Sequence, residues 1–431
     1  MADLLALSAK FIDEDLYDGP FSVNRVNTEL SEIADGVAMV EAFSHVVAFG
    51  TDAGLVLFDT SLEPFAPAIL RSLRGWSKAP VHTIAYTHGH VDHVGGAQAF
   101  IDETKDGGHP EPTVVGHEGV VGRFARYDVT NGYNGVINQR QFATLGGGML
   151  GVSKEGRWGP SSWVAPGTTF ADHMSLRVGD TDFELHHDRG ETDDHLWAWV
   201  PEHKALVVGD FVTWVFPNAG NPQKVQRYPA EWAHALREMA ALDAELMLPA
   251  HGLPVAGNAR IKKVLRDLAT VLEGIVVQTI TLMNDGATLN DILHTVRPPE
   301  DLMKRPYLRP VYDEPEFVVR NVWRLYGGWY DGNPAHLKPS PDATLAAEVA
   351  RLAGGAKALA SRALELAERD PRLACELAEM AGRAAPDDAE IHASRAEVYG
   401  KRRDAELSLM AKGIYASAAA ESERKAKGAS S

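Results

Sequence analysis

The sequence predicts an α+β chain in two parts, a sandwich of two sheets flanked by helices and then an all-helical region. Three observations carry this. Short apolar or alternating runs recur between Val37 and Val208, interleaved with helical stretches in a way that fits two packed sheets better than a doubly wound one. The apolar run Val81 to Tyr86 opens directly into a loop crowded with histidines, as a strand does when its end carries a site. Beyond Pro341 the chain is alanine-rich, with apolar residues three and four positions apart.

The elements follow in order. Val37 to Val40, Ser44 to Phe49 and Leu55 to Phe58 are expected strands, and Phe65 to Trp76 has the spacing of an amphipathic helix. After the histidine loop, Val94 to Glu103 is an expected helix with Gly95 and Gly96 at its start. The stretch Asp128 to Pro166 holds eight glycines and two tryptophans with little apolar periodicity, which predicts a long structured loop over the site. Strands return at Met174 to Val178, Phe183 to His187, Leu196 to Val200 and Ala205 to Val208. Arg260 to Met283 and Leu289 to Val296 are helical patterns, and Tyr326 to Pro341 is read as a linker for its glycines and prolines. In the tail, Leu345, Val349 and Leu352, then Leu359, Ala363 and Leu366, mark helix faces. Breaks at Asp370-Pro371 and Ala385 to Asp388 divide it into tetratricopeptide-like hairpins without a clean repeat.

Composition narrows the partners. At 431 residues two or three domains are expected. A formal charge of −17 with no basic stripe excludes a nucleic-acid partner. No run approaches the roughly 18 apolar residues of a membrane span, and Met1 to Tyr17 has no apolar stretch of signal-peptide length, so a cytoplasmic location is expected. The single cysteine, Cys375, allows neither an internal disulfide nor a thiolate metal cluster and is expected in a helical core.

The chemistry is concentrated in Thr87-His88-Gly89-His90-Val91-Asp92-His93-Val94-Gly95-Gly96. Imidazoles at alternate positions of a tight loop point two nitrogens one way, and the Asp-His pair turns toward a neighbouring point, which suits two metal ions in one pocket. Imidazole and carboxylate favour zinc and tolerate iron or manganese. Further ligands must come from later in the chain, and Glu191, Asp210 and His251 qualify because each ends a strand-like run or opens a loop. His195, four residues past Glu191, is a candidate for an acid or a supporting role; His186 and His187 are expected to be strand residues. Lys224 and Arg227 in the polar loop after Asp210, and Arg140 in an earlier loop, are the candidate anchors for an anionic substrate.

In this order the motifs resemble those of the metallo-β-lactamase superfamily, over roughly residues 20 to 257. Most hydrolases of that superfamily carry a histidine where this chain has Gly190-Glu191-Thr192, and a carboxylate there resembles the alkyl sulfatase branch. That branch usually has Glu where this chain has Asp210, which puts the metal spacing or identity in question. The resemblance implies that His88, His90 and Glu191 hold one metal and Asp92, His93 and His251 the other, with Asp210 bridging them beside a hydroxide. Asp92, Asp210 and Glu191 with that hydroxide would formally neutralise two divalent ions, so nearby cations would have to anchor an anionic substrate. Tyr326 to Ala335, with its Gly-Trp-Tyr-Asp-Gly-Asn-Pro segment, resembles the entry to the branch's helical dimerisation domain, and the lipid-carrier-like third domain of many members is not expected here. The implied organisation is a catalytic domain over 1–258, a helical connector over 259–340, an all-helical dimerisation domain over 341–425 and a frayed tail over 426–431. The implied function is hydrolysis of an anionic small-molecule ester, first of all an alkyl sulfate, by a homodimer, with metal-activated water as nucleophile and Asp92, Asp210 and His195 as catalytic residues. Carboxylic esters, lactones and phosphoesters are the alternatives on the same site; a di-iron redox protein or a non-catalytic binding protein is the alternative of another class.

Overall fold

In a computed structural model the described residues are 3–17, 19–145, 151–152 and 156–428. Contacts divide the chain into two units, residues 1–135 with 151–328, and residues 136–150 with 329–431. The first unit contains two sheets. The larger runs β1 (Leu30–Ala34), β2 (Val37–Val40), β3 (Val46–Thr51), β4 (Gly54–Phe58), β5 (Val81–Ala85), β6 (Thr113–His117) and β7 (Thr168–Phe170), in spatial as in chain order. Its first four strands pair antiparallel and β4 to β7 pair parallel. The smaller contains β8 (His173–Val178), β9 (Thr181–His187), β10 (Leu196–Val200), β11 (Ala205–Gly209), β12 (Leu246–Pro249) and β13 (Val255–Ala256).

Alternation decides which side each residue faces. Val37, Met39, Val47, Phe49, Val56 and Phe58 share one core with Phe183, Leu185 and Trp197 of the second sheet. Phe49 and Phe183 meet edge to face with ring centroids 5.5 Å apart. Their sequence neighbours Val40, Val46, Ala48, Leu55 and Leu57 pack the other way, against Ile69 and Leu73 of helix Ala66–Trp76 and Phe100 of helix Ala97–Asp106. Each such fully buried aliphatic side chain contributes about 1.5–3 kcal/mol. Helices Pro229–Ala241 and Asn258–Asn284 cover the second sheet through Trp232, Leu236, Leu265 and Leu272.

Two expectations need correction. The glycine-bearing stretch from Asp128 is not one long loop. Its first part is helix Asn131–Gln141, following helix Gly119–Val129, and the remainder falls partly outside the described residues. Asn134, Ile137 and Asn138 are buried at helical spacing, so packing overrides the poor propensity of the glycines and asparagines. Of residues 259–340, expected as a helical connector, 259–328 group with the first unit; Leu265, Leu272, Ile292 and Val318 belong to its core.

The second unit is helical: Asp342–Leu352, Ala356–Leu366, Pro371–Ala384, Ala389–Ala405 and Leu409–Ala426. Asp370, Asp388 and Ser408 cap successive helices by accepting backbone N–H groups, which explains why the breaks fall there. Cys375 is half-buried beside Ala374 and Ala378.

Candidate metal centre

The site forms where strands end. His88 follows β5, Glu191 lies between β9 and β10, Asp210 follows β11 and His251 follows β12. A one-turn helix, Val91–Val94, carries Asp92 and His93. Gly96 lets this turn lie against the β4 end, because a Cβ there would collide with the Thr60 carbonyl oxygen.

Two donor groups result. His88 Nε2 is 2.8 Å from His90 Nδ1, which is 3.6 Å from Glu191 Oε1. His251 Nε2 is 3.4 Å from Asp92 Oδ2, which is 3.6 Å from His93 Nε2. Asp210 reaches both: Oδ2 is 3.8 Å from His88 Nε2 and 3.5 Å from His93 Nε2, and Oδ1 is 3.6 Å from His251 Nε2. Ligand atoms around a tetrahedral zinc with bonds of about 2.0–2.1 Å stand about 3.3 Å apart. Among the described residues buried His93 Nε2 and Asp210 Oδ1 have no hydrogen-bond partner, which leaves two polar atoms of the cluster for a cation to satisfy. The donor set therefore fits two divalent ions sharing Asp210.

Electrostatics describe the same crowding. Burial holds Glu191 well above the usual carboxylate range, against the pull of Arg227, and Asp210 and Asp92 push the same way. Burial opposes a cation at His93, yet Asp210, Asp59 and Asp92 together hold its imidazole well above the ordinary value. Burial and the neighbouring imidazoles hold His88 far below it. Cations placed among these carboxylates and neutral imidazoles would relieve both strains.

Outer partners fix the donors. Asp59 Oδ2 accepts from His93 Nδ1 at 2.7 Å, which fixes the ring with Nε2 toward the centre, where a metal would take it as the unprotonated nitrogen. Asp59 also accepts from the backbone and hydroxyl of Thr87. The Gly89 N–H donates to Asp194 Oδ2 at 3.2 Å, and that carboxylate is held by buried Arg123 at 2.8 Å. His45 donates from Nε2 to the Gly252 carbonyl, steadying the His251 loop. Asp59 carried a legible signal: an acid directly after an apolar run, like Asp210.

The other sequence candidates fall in different places. The Asp210 N–H donates to His195 Nε2 at 3.1 Å, and the His195 ring stacks on His88 with centroids 4.6 Å apart. His195 thus packs against the donors, and burial pushes it down to about 3. Arg227 is buried; its Nη1 donates to the Glu191 carbonyl at 2.6 Å and its Nη2 to Glu191 Oε1 at 3.3 Å, so it grips the candidate ligand instead of standing open to substrate. Asn218 Nδ2 donates to the same Oε1. Lys224 is half-buried, with Nζ 5.8 Å above the Trp158 ring; burial, then Arg227, brings it down to about 7. Arg140 is exposed on helix Asn131–Gln141 and groups with the second unit, so the first unit does not bring it to the donors. His187 Nδ1 donates to the His195 carbonyl at 2.8 Å, and His186 stacks on Trp197.

A two-sheet sandwich with paired donor groups at its strand ends defines a class, and sequence comparison agrees with it. Residues 40–251 match the metallo-beta-lactamase superfamily. Residues 288–425 match the alkyl sulfatase dimerisation family. Among curated proteins, a linear primary-alkylsulfatase of Pseudomonas sp. is 27% identical over 390 residues, covering 87% of this chain and 73% of its own length. An alkyl/aryl-sulfatase of Saccharomyces cerevisiae is 27% identical over 355 residues, covering 78% of this chain and 54% of its own. The solved stereoselective inverting sec-alkylsulfatase of Pseudomonas sp. superposes with a TM-score of 0.80 at 22% identity, over 94% of this chain and 66% of that one, and shares the fold.

Proposed function

We propose that the protein is a dinuclear metal hydrolase of alkyl sulfate esters. The observation that carries the reading is one carboxylate, Asp210, reaching two donor groups of which one contains Glu191, in a chain whose curated relatives are named alkylsulfatases. Imidazole and carboxylate donors with no thiolate favour zinc. Two such ions would supply a water of lowered pKa and polarise the scissile group. His88, His90 and Glu191 would hold one, Asp92, His93 and His251 the other, and Asp210 both. Lys224, on which the charges of Asp92 and Glu191 act, would anchor the sulfate.

The test is a hydrolysis screen on protein of measured metal content, with dodecyl sulfate, an alkyl phosphate and a carboxylic ester of equal chain length. Release of inorganic sulfate faster than either other product is expected. Faster turnover of the phosphate or carboxylic ester, with none of the sulfate, rejects the sulfate reading and leaves the other ester classes.

The partner is a second copy of the chain. Helix Asp342–Leu352 buries Ala346 and Ala350 within its own unit and leaves Leu345 and Leu352 exposed at 52% and 73%. The bulky stripe faces outward where a helix in a monomer would turn it in, and the dimerisation family match supports a second copy as its occupant. Among the described residues no helix is long and apolar enough to cross a membrane. A cytoplasmic location accords with a single cysteine, and cell fractionation tests it.

A further inference from the structure

We propose that Asp313 and Asn321 are positioning residues for the metal centre, acting on Glu191 through the loop that follows Asp210. The inference rests on the reading of Glu191 as a ligand. Asp313 is buried, and its carboxylate accepts three backbone N–H groups: Gly220 at 2.7 Å and Asn221 at 3.1 Å on Oδ2, and Glu314 at 2.7 Å on Oδ1. Two of these amides belong to the turn that presents Asn218, and Asn218 donates to Glu191 Oε1. Gly220 permits the contact, since a Cβ there would stand 2.5 Å from the Phe317 carbonyl carbon.

Asn321 grips the other end of the loop. It lies on helix Pro315–Gly327, donates from Nδ2 to the Arg227 carbonyl at 2.8 Å, and accepts the Arg227 N–H on Oδ1 at 3.2 Å. That two-way bond mimics a strand pairing and fixes the backbone from which the Arg227 guanidinium reaches Glu191. Both hydrogen-bond donors to Glu191 Oε1 are therefore set by residues between 313 and 321. These lie outside the 40–251 superfamily match and inside the 288–425 match, yet pack in the first unit. A carboxylate with two directed donors is pre-oriented, and losing such outer partners typically lowers metal affinity about 10–100-fold.

The experiment measures stepwise metal dissociation constants by competition with a chromogenic zinc chelator, with far-UV circular dichroism as the fold control, on the full chain. Asp313→Asn, which puts an amide NH₂ against backbone donors, is expected to weaken one of two zinc sites at least tenfold and leave the other within twofold. Asn321→Ser keeps the helix, removes the two-way bond and carries the same expectation should Asp313→Asn fail to fold. In a Glu191→Ala background the additional effect of either substitution should vanish, which a general loosening of the structure would not produce. Folded variants with both constants within twofold of the native chain, or an undiminished effect without Glu191, overturn the proposal. If instead Glu191→Ala alone retains both zinc ions at native affinity, the failure lies with the ligand reading beneath it.

Discussion

At the scale of single residues, two side chains divide the work that charge counting assigns to the pocket. Glu191 is held by Asn218 and Arg227, so Glu191→Gln keeps an acceptor for both and removes only the charge. Metal content should fall from near two to near one ion per chain and the rate by at least roughly 100-fold, more than loss of an outer partner costs. The melting temperature of the metal-free chain should hardly move; emission spectroscopy and calorimetry check both, and native metal content in the variant would remove Glu191 from the ligand set. Lys224 has a different part. A hydrogen bond to a charged group is worth about 1.5–3 kcal/mol, so Lys224→Ala should raise KM for an alkyl sulfate by roughly 10–100-fold and leave metal content at the native value. An unchanged KM would place the sulfate anchor elsewhere.

At the scale of elements, the helical unit depends on one carboxylate. Glu379, on helix Pro371–Ala384, accepts from Arg395 Nε and Nη2 at 3.0 and 2.8 Å and from the Tyr399 hydroxyl at 3.0 Å, with Arg383 Nε on its other oxygen at 3.0 Å. Arg395 also donates to the Ala418 carbonyl on helix Leu409–Ala426, so three helices meet at this pair. Burial raises the Glu379 carboxyl, but Arg395 first and then the hydrogen bonds hold it below its ordinary 4.5. A depressed carboxylate contributes stability that is complete above the unfolded-state value and lost as pH falls through the lower folded-state value. Glu379→Gln should therefore cost about 1–3 kcal/mol at pH 7, discounting a buried pair for its partial exposure. The difference from the native chain should close as pH is taken from 7 to well below the ordinary 4.5, in the acidic window where both states protonate. Melting curves at the two pH values decide it; a gap that persists undiminished in acid would mean that the side chain acts by packing alone.

At the scale of the molecule, assembly follows from where the apolar surface is left. Leu345 and Leu352 lie seven positions apart on one stripe, and removing them from water in a pair of chains would contribute several times about 1 kcal/mol. Paired substitution Leu345→Asp with Leu352→Asp introduces charges that a dimer face cannot desolvate. Light scattering at micromolar concentration should show a dimer for the native chain and a monomer for the variant, with native helix content in both. A native chain that scatters as a monomer sinks the second-copy reading, and a variant that stays dimeric moves the interface to another face.

What was legible in the sequence was what the chain makes locally. His88, His90, Asp92 and His93 lie within six positions, so their convergence needs only one turn of backbone, and the strands around them announce themselves as short apolar runs, buried on both faces. Glu191, Asp210 and His251 could be picked out because sandwich strands deliver their ends to one edge, a rule of topology that spacing reports. Arg227 looked like a free cation, because nothing in its neighbourhood says that the loop folds back onto Glu191 some 36 positions earlier. His195 looked equally free, although its ring nitrogen is taken by the backbone of Asp210. Asp59, Asp313 and Asn321 gave no sign of their long-range partners, which lie 28 to 94 positions away. The helix Asn131–Gln141 was hidden behind poor intrinsic propensity that packing outweighs. The sequence by itself determined the donor chemistry, the strand ends that carry it and the helical tail, because these follow from residue type and short-range periodicity. The tertiary structure alone decided which charges pair with which, because a hydrogen bond forms between neighbours in space and sequence separation does not limit it.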